Sequence, residues 1–491
     1  MKSLAALLPH IDWPRPLNDV VPAGLAFDSR DVKNGDAFIA VTGTRHDGRQ
    51  FVSQAIDAGA TVVLRQAEQF AIEAVNDAWI VDVPGLSAAA VAESWFDFPG
   101  RKLAISGITG TNGKTSVCWF LRDALDASGK PAAMIGTLGA GVKGAEQATR
   151  HTTPDAYMLN RYLSDFIGQG VKHVVMEVSS HALDQHRLGQ VPVRTAVFTN
   201  LSRDHLDYHG DMNRYLAAKA RLFQRPEVQL AVLNMDDQAA KTITTCLNDQ
   251  VRCVTYGQQS QGVSVGCRAV NYHSKGITFT LTLAGDELPL SVPLYGEFNL
   301  SNILAVAAVL HGQGYDNDAI GRALQRVTPV PGRMQLINAA DGPAVVVDYA
   351  HTPDGLRHAL VAVRQHFTGK VHCVVGCGGD RDTGKRPLMA SVAEQGSDVL
   401  TLTSDNPRSE NPQDIIDQMV AGLTGKRDVH QNVDRRQAIE YTIRNAASND
   451  VVLIAGKGHE TTQTVMGRVL PFDDRVVAAE CLGVLGGHYY D

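Results

Sequence analysis

The sequence predicts an α/β protein of three domains, each built on a sheet of short strands with helices packed against it. Three observations lead to this prediction. The 491 residues correspond to roughly three domains of ordinary size. Short apolar runs alternate with helical stretches, a pattern typical of largely parallel sheets with helices on both faces. One apolar run near the middle of the chain leads into a glycine-rich loop that is followed by a helix.

The composition is that of a globular protein and excludes several classes. Hydrophobic residues make up 44% and charged residues 20% of the chain. The net charge of −7 makes a broad attraction to nucleic acid or to an anionic membrane unexpected, so an anionic ligand must be held locally. Seven scattered cysteines favour reduced thiols, and we expect a cytoplasmic protein. Apolar runs stay below the ~18 residues that a membrane-spanning helix needs.

Residues 1–98 form the first predicted domain, a small α/β domain. Its strands are predicted at residues 37–41, 61–64 and 79–83, with a helix at residues 51–58. A Phe98-Pro99-Gly100 turn ends the domain.

The second domain, residues 99–331, begins with the segment Ile105–Ser116, which has the pattern of a phosphate-binding loop. Glycines in such a loop let backbone N–H groups approach a polyphosphate, and the following helix adds partial positive charge. Lys114 would reach the terminal phosphates and Thr115 would bind Mg²⁺. The spacing departs from the usual motif because the first glycine stands one position early, so an ordinary glycine-rich turn is the alternative.

The remaining elements of the second domain follow the same alternation. Residues 263–294 differ, because their period of two predicts a small antiparallel appendage. A Pro329-Val330-Pro331-Gly332 linker ends the domain. Further strands are predicted at residues 173–177, 196–200 and 230–234.

The third domain, residues 332–491, repeats the α/β alternation and is predicted to be Rossmann-like. Polar segments follow its strands, and such segments gather at one edge of a parallel sheet. The strands are predicted at residues 344–348, 371–375, 399–403 and 451–455.

Two polar positions in the second domain are candidate metal ligands. Glu177 ends an apolar strand close to the phosphate loop, where Mg²⁺ is commonly bound. His205 follows the next strand in a segment rich in histidine and aspartate, and an imidazole is a reasonable ligand for a second metal. The alternatives are a solvent-facing carboxylate and a solvated loop.

Lys219 lies on the apolar face of a helix predicted at residues 211–224. Tyr215 and Leu216 precede it by one turn, and Leu222 and Phe223 follow it. Burying an ammonium group is costly unless it is paired or chemically changed. The side chain therefore either extends to solvent or loses its proton and is carbamylated by CO₂, and the residues themselves leave both alternatives open.

Charged residues of the third domain fit a zwitterionic ligand such as an amino acid. Arg381 and Arg408 suit planar recognition of a carboxylate, whereas Asp405 and Glu460 suit an ammonium group. A set of ordinary turns with capped helices is the alternative.

Five segments taken together resemble the ATP-dependent Mur ligases of bacterial cell-wall synthesis, and they extend over all three predicted domains. The segment Asp405-Asn406-Pro407-Arg408 is similar to that of the members that add meso-diaminopimelate to UDP-N-acetylmuramoyl-L-alanyl-D-glutamate, whereas lysine-adding members generally differ there. The five segments are Gly110–Thr115, Glu177–His181, Asn200–His205, Tyr215–Lys219 and Asp348–Pro353.

The resemblance implies a role for each matched residue, with Lys114, His205 and Lys219 as the catalytic set. ATP would be bound by Gly110, Thr111, Asn112, Gly113, Lys114, Thr115, Ser116, Asn299 and Asp348. Mg²⁺ would be bound by Thr115, Glu177, His205 and carbamylated Lys219. The UDP-sugar would contact Phe27, Ser29, Thr44, Arg45 and His46. The peptide end would contact Thr152, Thr153, Ser179, Gln185 and Arg187. Diaminopimelate would contact Arg381, Asp405, Asn406, Pro407, Arg408, Gly456 and Glu460.

The resemblance thus implies an enzyme that forms an amide bond through an acyl phosphate, with ATP and Mg²⁺ and small-molecule substrates. We expect a monomer that binds no nucleic acid and has no membrane span. His151 departs from close relatives, which often have Asn there. Three alternatives remain: a lysine-adding Mur ligase, a folylpolyglutamate-type ligase, which needs no UDP-binding domain, and a non-enzymatic nucleotide switch.

Overall fold

The computed structural model describes residues 2–15, 17–43, 46–425 and 429–484. By its internal contacts the chain forms two compact units. The first comprises residues 1–118 and 125–254, and the second comprises residues 119–124 and 255–491. The three predicted domain ranges remain a prediction. Within the described residues, no helix combines the length and the apolar character needed to cross a bilayer.

The N-terminal part of the first unit is a five-stranded sheet in the order β1-β2-β3-β5-β4, parallel except for β4. Apolar side chains from both faces are buried, with α1 and α3 on one face and α2 on the other. The elements are α1 (Leu4–Leu7), β1 (Leu25–Ala26), β2 (Ala37–Ala40), α2 (Val52–Asp57), β3 (Val62–Ala67), β4 (Ala71–Val75), β5 (Ala78–Pro84) and α3 (Ala88–Trp95).

The rest of the first unit is a second sheet in which β11, β10, β6, β9 and β7 are neighbours and run parallel. Strands β6, β9, β10 and β11 are buried along almost their whole length, because a parallel sheet with covered faces exposes neither side. Strand β8 lies antiparallel to β7 at one edge. The elements are β6 (Ala104–Thr109), α4 (Lys114–Ala127), β7 (Ala132–Gly136), β8 (Gly139–Val142), α5 (Ala156–Gly168), β9 (His173–Glu177), α6 (Ser180–Asp184), β10 (Thr195–Phe198), α7 (Leu206–His209), α8 (Met212–Ala220), β11 (Leu230–Asn234), α9 (Ala239–Thr244) and β12 (Arg252–Tyr256).

The second unit contains three antiparallel strands, which confirm the antiparallel pairing predicted for residues 263–294, followed by two helices. Side chains alternate between buried and half-buried along β14, as the period of two predicts. The elements are β13 (Val265–His273), β14 (Gly276–Leu283), β15 (Asp286–Val292), α10 (Glu297–Gly312) and α11 (Asn317–Leu324).

A six-stranded sheet in the order β16-β17-β21-β18-β19-β20 forms the C-terminal part, parallel except for β16. Helices α12, α13 and α14 cover one face, and α15 and α16 cover the other. The elements are β16 (Gln335–Ile337), β17 (Ala344–Asp348), α12 (Pro353–His366), β18 (Val371–Val375), α13 (Lys385–Gly396), β19 (Val399–Thr403), α14 (Pro412–Val420), β20 (Val429–Asn432), α15 (Arg435–Asn445), β21 (Val451–Ala455), β22 (Thr462–Val465), β23 (Arg468–Pro471) and α16 (Asp474–Leu482).

Candidate active site

The phosphate loop joins β6 to α4, as the sequence predicts. The Thr111 amide donates to the Asn200 carbonyl at 2.8 Å, and the Asn112 amide donates to Asn200 Oδ1 at 2.9 Å. Lys114 Nζ donates to the carbonyls of Gly110 and Thr111 at 2.9 and 2.8 Å. Hydrogen bonds therefore join the loop to the segment that follows β10. The Lys114 ammonium lies over the turn at the N-terminus of a 14-residue helix, α4. This arrangement suits a polyphosphate.

Lys219 lies on α8, and its relative exposure is only 1%. Its ammonium donates to the Gly110 carbonyl at 2.8 Å and lies 4.3 Å from the centre of the Tyr215 ring. Burial, reinforced by the Lys114 ammonium, lowers the pKa of Lys219 well below its usual value, and Asp204 only partly opposes this shift. The predicted helix was too long, because α8 ends at Ala220.

Glu177, at the end of β9, is buried beside the phosphate loop. Its Oε1 accepts hydrogen bonds from the Thr115 hydroxyl at 3.0 Å and from the Thr137 amide at 2.7 Å. Among the residues that the structure describes, Glu177 forms no ion pair, so a buried carboxylate lacks a cation. A hydroxyl beside an unpaired carboxylate fits Mg²⁺, which prefers oxygen ligands and is commonly bound by one or two carboxylates together with substrate phosphates. Within the described part of the chain, no group of three or more His, Cys, Asp and Glu side chains is placed to bind a metal by itself.

His205 belongs to a cluster of aromatic and imidazole rings. It has left-handed backbone torsions, with φ of 53°, and its ring centre lies 5.0 Å from that of His181 and 6.1 Å from that of Tyr215. The Tyr215 hydroxyl in turn lies 3.2 Å from Thr111 Oγ1 in the phosphate loop. Burial lowers the pKa of both His181 and His209, so these two rings favour the neutral form.

Four of the predicted peptide contacts form one hydrogen-bond network. The buried Thr153 hydroxyl donates to the Glu177 carbonyl at 2.8 Å and accepts from the Ser179 amide at 3.0 Å. Arg187 donates to the Thr153 carbonyl at 3.0 Å and to Gln185 Oε1 at 2.7 Å. The network joins the end of β9 to α6 next to the candidate metal position. The fifth, Thr152, lies beside it, its hydroxyl oxygen 3.1 Å from that of Thr137.

The predicted UDP-sugar contacts lie in the N-terminal part of the first unit. The Phe27 ring lies 5.1 Å from that of Tyr157, and the buried Ser29 hydroxyl donates to Gln54 at 3.1 Å. His46 is exposed. Thr44 and Arg45 lie outside the described residues.

At the carboxyl edge of the C-terminal sheet, Asp405–Arg408 and Glu460 come together. Asn406 Nδ2 donates to Glu460 Oε2 at 2.8 Å and to Asp405 Oδ1 at 3.1 Å. Arg408 is held by bonds from its side chain to the Gly379 carbonyl at 2.6 Å and from its amide to Thr464 at 2.9 Å. Burial alone would raise the pKa of Glu460, but hydrogen bonds from Lys457 and Asn406 hold it below its usual value. Arg381 is exposed near this cluster, on the segment after β18.

The two predicted nucleotide contacts of the second unit are both buried. The Asp348 carboxylate accepts from the amides of Met334 and Ala350, both at 2.8 Å. Burial raises the pKa of Asp348, although Arg333 and these amides act in the opposite direction. Asn299, on the first turn of α10, donates to the Tyr295 carbonyl at 2.9 Å.

The linker residue Gly332 contacts the loop that follows β21. A Cβ added at Gly332 would collide with the backbone of Gly458 and His459, and one added at Gly458 would lie 2.5 Å from the Gly332 carbonyl oxygen. Beside this contact, Arg333 lies over the Tyr349 ring at 4.4 Å and His459 lies 5.0 Å from that ring. Burial lowers the pKa of His459 to about 4.

Sequence analysis missed three groups of residues that support these sites. His181, His209 and Lys457 stand in polar segments that follow strands, and only the folded chain shows what their side chains contact. Thr137, which binds Glu177, and the buried Arg435–Asp474 ion pair, at 2.7 Å beneath the C-terminal sheet edge, gave no signal, because their partners are distant in the chain.

The sequence matches three family models. The Mur ligase family catalytic domain matches residues 23–92, the Mur ligase middle domain matches residues 108–310, and the Mur ligase glutamate ligase domain matches residues 332–458. These matches follow the order of the three predicted domains.

Individual relatives are similar over nearly the whole chain. A protein of Coxiella burnetii named UDP-N-acetylmuramoyl-L-alanyl-D-glutamate–2,6-diaminopimelate ligase is 43% identical over 470 residues, which cover 94% of this chain and 96% of the relative. A protein of Pseudomonas syringae pathovar tomato with the same name is 43% identical over 486 residues, 99% of each chain. A solved structure of an enzyme with this name superimposes with a TM-score of 0.73 at 34% identity, covering 99% of this chain and all of that one. The predicted three-domain α/β fold class is confirmed, and the chain belongs to the Mur ligase family.

Proposed function

We propose that this chain is an ATP-dependent ligase that adds meso-diaminopimelate to the D-glutamyl carboxylate of UDP-N-acetylmuramoyl-L-alanyl-D-glutamate, forming ADP and phosphate. The observation that carries this proposal is the 43% identity, over nearly the full length, to relatives that bear the name of that activity. The two residue clusters described above provide what the reaction needs: one suits a polyphosphate and a cation, and the other suits a zwitterion.

The first step activates the carboxylate. The D-glutamyl carboxylate attacks the γ-phosphorus of ATP, and the bond from that phosphorus to the β-phosphate oxygen breaks. The products of this step are ADP and an acyl phosphate. Lys114 supplies positive charge at the phosphate loop, where negative charge crowds as the phosphoryl group moves. Thr153, Ser179, Gln185 and Arg187 would hold the peptide end of the acceptor.

Mg²⁺, when bound, supplies charge neutralisation at the transferred phosphate. We assign Thr115, Glu177, His205 and carbamylated Lys219 as the residues that would hold it. The support for carbamylation is the burial of Lys219 beside one backbone carbonyl, because a neutral amine is the form that reacts with CO₂. The resulting anion would position the cation and would take no covalent part in the reaction.

The second step forms the amide bond. The diaminopimelate amine attacks the acyl carbon, phosphate leaves, and the amine proton is lost. Arg381 and Arg408 would bind the carboxylate of the amino acid, and Glu460 with Asp405 would bind its distal ammonium. Exclusion of water from this step protects the acyl phosphate from hydrolysis.

The test supplies the purified protein with ATP, Mg²⁺ and the UDP-dipeptide, and offers meso-diaminopimelate or L-lysine in separate reactions. We expect a mass increase of one diaminopimelate residue and little product with lysine. A Lys114→Met variant serves as the matched control and should form no product. If ADP accumulated without a UDP-tripeptide, the proposal would be wrong, and a product with lysine alone would identify a lysine-adding ligase.

A further inference from the structure

Lys457 is a fully buried lysine that the proposed reaction does not use. Its relative exposure is 0%, and it lies between two candidate contacts of the amino acid, Gly456 and Glu460. The ammonium donates to Glu460 Oε2 at 2.8 Å, to the Thr462 carbonyl at 2.7 Å and to Asn406 Oδ1 at 3.3 Å. A lysine ammonium has three donors, so these acceptors use its full hydrogen-bonding capacity.

The backbone on either side of Lys457 directs this side chain inward. Gly456 has φ of 120° and Gly458 has φ of 53°, torsions that residues with a side chain rarely adopt. A Cβ at Gly456 would lie 2.5 Å from Asp405 Oδ2. The two glycines thus allow a sharp change of direction after β21, and the residue between them is turned into the protein instead of toward solvent.

The three acceptors belong to three different segments. Asn406 follows β19, Glu460 follows β21, and Thr462 begins the hairpin of β22 and β23. Further bonds join the hairpin to the same place: the Thr464 amide donates to Asn406 Oδ1 at 3.0 Å, and Gln463 donates to the Asp405 carbonyl at 2.7 Å. One ammonium therefore lies where the segments of the candidate amino-acid site meet.

Both hydrogen bonds to the Glu460 side chain reach the same carboxylate oxygen. Both Lys457 and Asn406 donate to Oε2 of that carboxylate. Two donors on the same oxygen restrict the orientation of the carboxylate and leave Oε1 as the oxygen that these two bonds do not use. The Asn406 amide is held in the same way, because its Oδ1 accepts from Lys457 and from Thr464 while its Nδ2 faces the two carboxylates.

We propose that Lys457 is a positioning residue for the amino-acid substrate: its ammonium fixes Glu460, Asn406 and the start of the β22–β23 hairpin in the arrangement that recognises the distal ammonium and carboxylate. The inference rests on the function proposed above and adds to it a residue that does not touch the substrate. Lys457 acts on binding of the amino acid and has no part in phosphoryl transfer.

The experiment compares Lys457→Met with the unaltered protein in steady-state kinetics for each substrate. The KM for meso-diaminopimelate should rise by about 10- to 100-fold, a loss typical of removing a group that orients the residues in contact with a ligand. The KM values for ATP and for the UDP-dipeptide should stay within about twofold, since those groups lie on other segments.

Two further variants separate positioning from general damage. Arg357→Met removes the cation of an exposed pair with Asp354 that has the same three-residue spacing, at 3.0 Å, and should leave all three KM values unchanged. In Lys457→Met/Glu460→Gln, the rise in the KM for the amino acid should be clearly smaller than the two single effects combined, because Lys457 acts in part through Glu460. Additive effects, or an equal rise in the KM for ATP, would overturn the proposal.

Calorimetric binding of meso-diaminopimelate, with the UDP-dipeptide and a non-hydrolysable ATP analogue present, gives a result independent of turnover. If the unaltered protein binds the amino acid but forms no tripeptide, the proposed reaction fails, and a weaker Kd in Lys457→Met still supports the positioning role. An unchanged Kd in that variant, or no binding by either protein, overturns the inference.

Discussion

Two lysines are buried to the same degree in the two candidate sites, yet their surroundings differ. Lys457 meets a carboxylate, a side-chain amide and a carbonyl, whereas Lys219 donates to one carbonyl at 2.8 Å and lies over the face of a tyrosine ring. Among charged groups, the largest effect on the pKa of Lys219 comes from another ammonium, that of Lys114. The comparison teaches that burial alone does not define the role of a lysine. A paired ammonium orders its neighbours, and an ammonium without a carboxylate partner is available for chemistry.

The largest expected effect comes from removing the amine that we propose is carbamylated. Lys219→Ala should lower kcat by about a thousandfold, because the metal loses an anionic ligand and the transition state loses several kcal/mol of charge stabilisation. Added formate or acetate should restore part of the activity by replacing the missing carboxylate. The measurement is tripeptide formation with and without these acids.

Lys241→Ala, which removes an exposed lysine from α9, is the matched control and should keep full activity. An equally active Lys219→Ala variant would contradict the metal-anchoring role. Full loss without any recovery in carboxylate would leave Lys219 with a role other than carrying a carbamate.

The same two lysines should differ in their contribution to folding stability. Lys457→Met leaves Glu460, whose side chain is 32% exposed, without its cation, and should reduce the free energy of unfolding by about 2 kcal/mol after allowance for that exposure. Lys219→Met removes a buried amine that forms no ion pair with any residue that the structure describes, so it should leave the free energy unchanged or raise it. Urea unfolding of both variants in CO₂-free buffer tests this contrast, which would be wrong if Lys219→Met were the more destabilised protein.

A smaller effect concerns pH. The pKa of Lys219 is lower in the folded protein than the 10.5 of an exposed lysine. Between the two pKa values the unfolded chain binds more protons, so the free energy of unfolding rises with pH, by at most about 1.4 kcal/mol per unit. The increase in the free energy of unfolding is complete above the pKa of the unfolded chain, and it is lost as the pH falls toward the pKa of the folded protein. The stability of the unaltered protein relative to Lys219→Met should therefore increase as the pH rises toward 10.5 in CO₂-free buffer. A difference that decreased over this range would contradict the direction of the shift.

Local sequence pattern was sufficient for most of the fold. Strands β9, β11, β17, β18, β19 and β21 have the predicted bounds, because continuous apolar runs of this length admit few alternatives in an α/β chain. The strands that were not predicted are β1, β4, β7, β8, β12, β16, β20 and the β22–β23 hairpin. Strand β4 has mostly exposed or half-buried side chains and lies at a sheet edge, and the hairpin is equally exposed, so neither shows a strong apolar pattern.

The candidate sites were predictable where a residue follows a strand, and less so where it supports a neighbour. Glu177, Asp405 and Asn406 lie at strand ends, where parallel topology brings polar groups together. Lys457 carries charge like the other candidates, but only the folded chain shows that it faces inward and meets three segments. Thr137 and Arg435 depend on contacts across 40 and 39 positions of the chain, which no local pattern encodes.

The contact between Gly332 and Gly458 has a consequence for motion. Because the two main chains touch, Gly332 must travel with the strand-end loop rather than with the residues that precede it. If the C-terminal sheet swings during turnover, the torsions that change lie upstream, at Pro329 to Pro331. Pro329 and Pro331 each restrict φ to one narrow range, so few backbone torsions in this segment can change. Such a segment favours rotation of the C-terminal sheet about a defined axis.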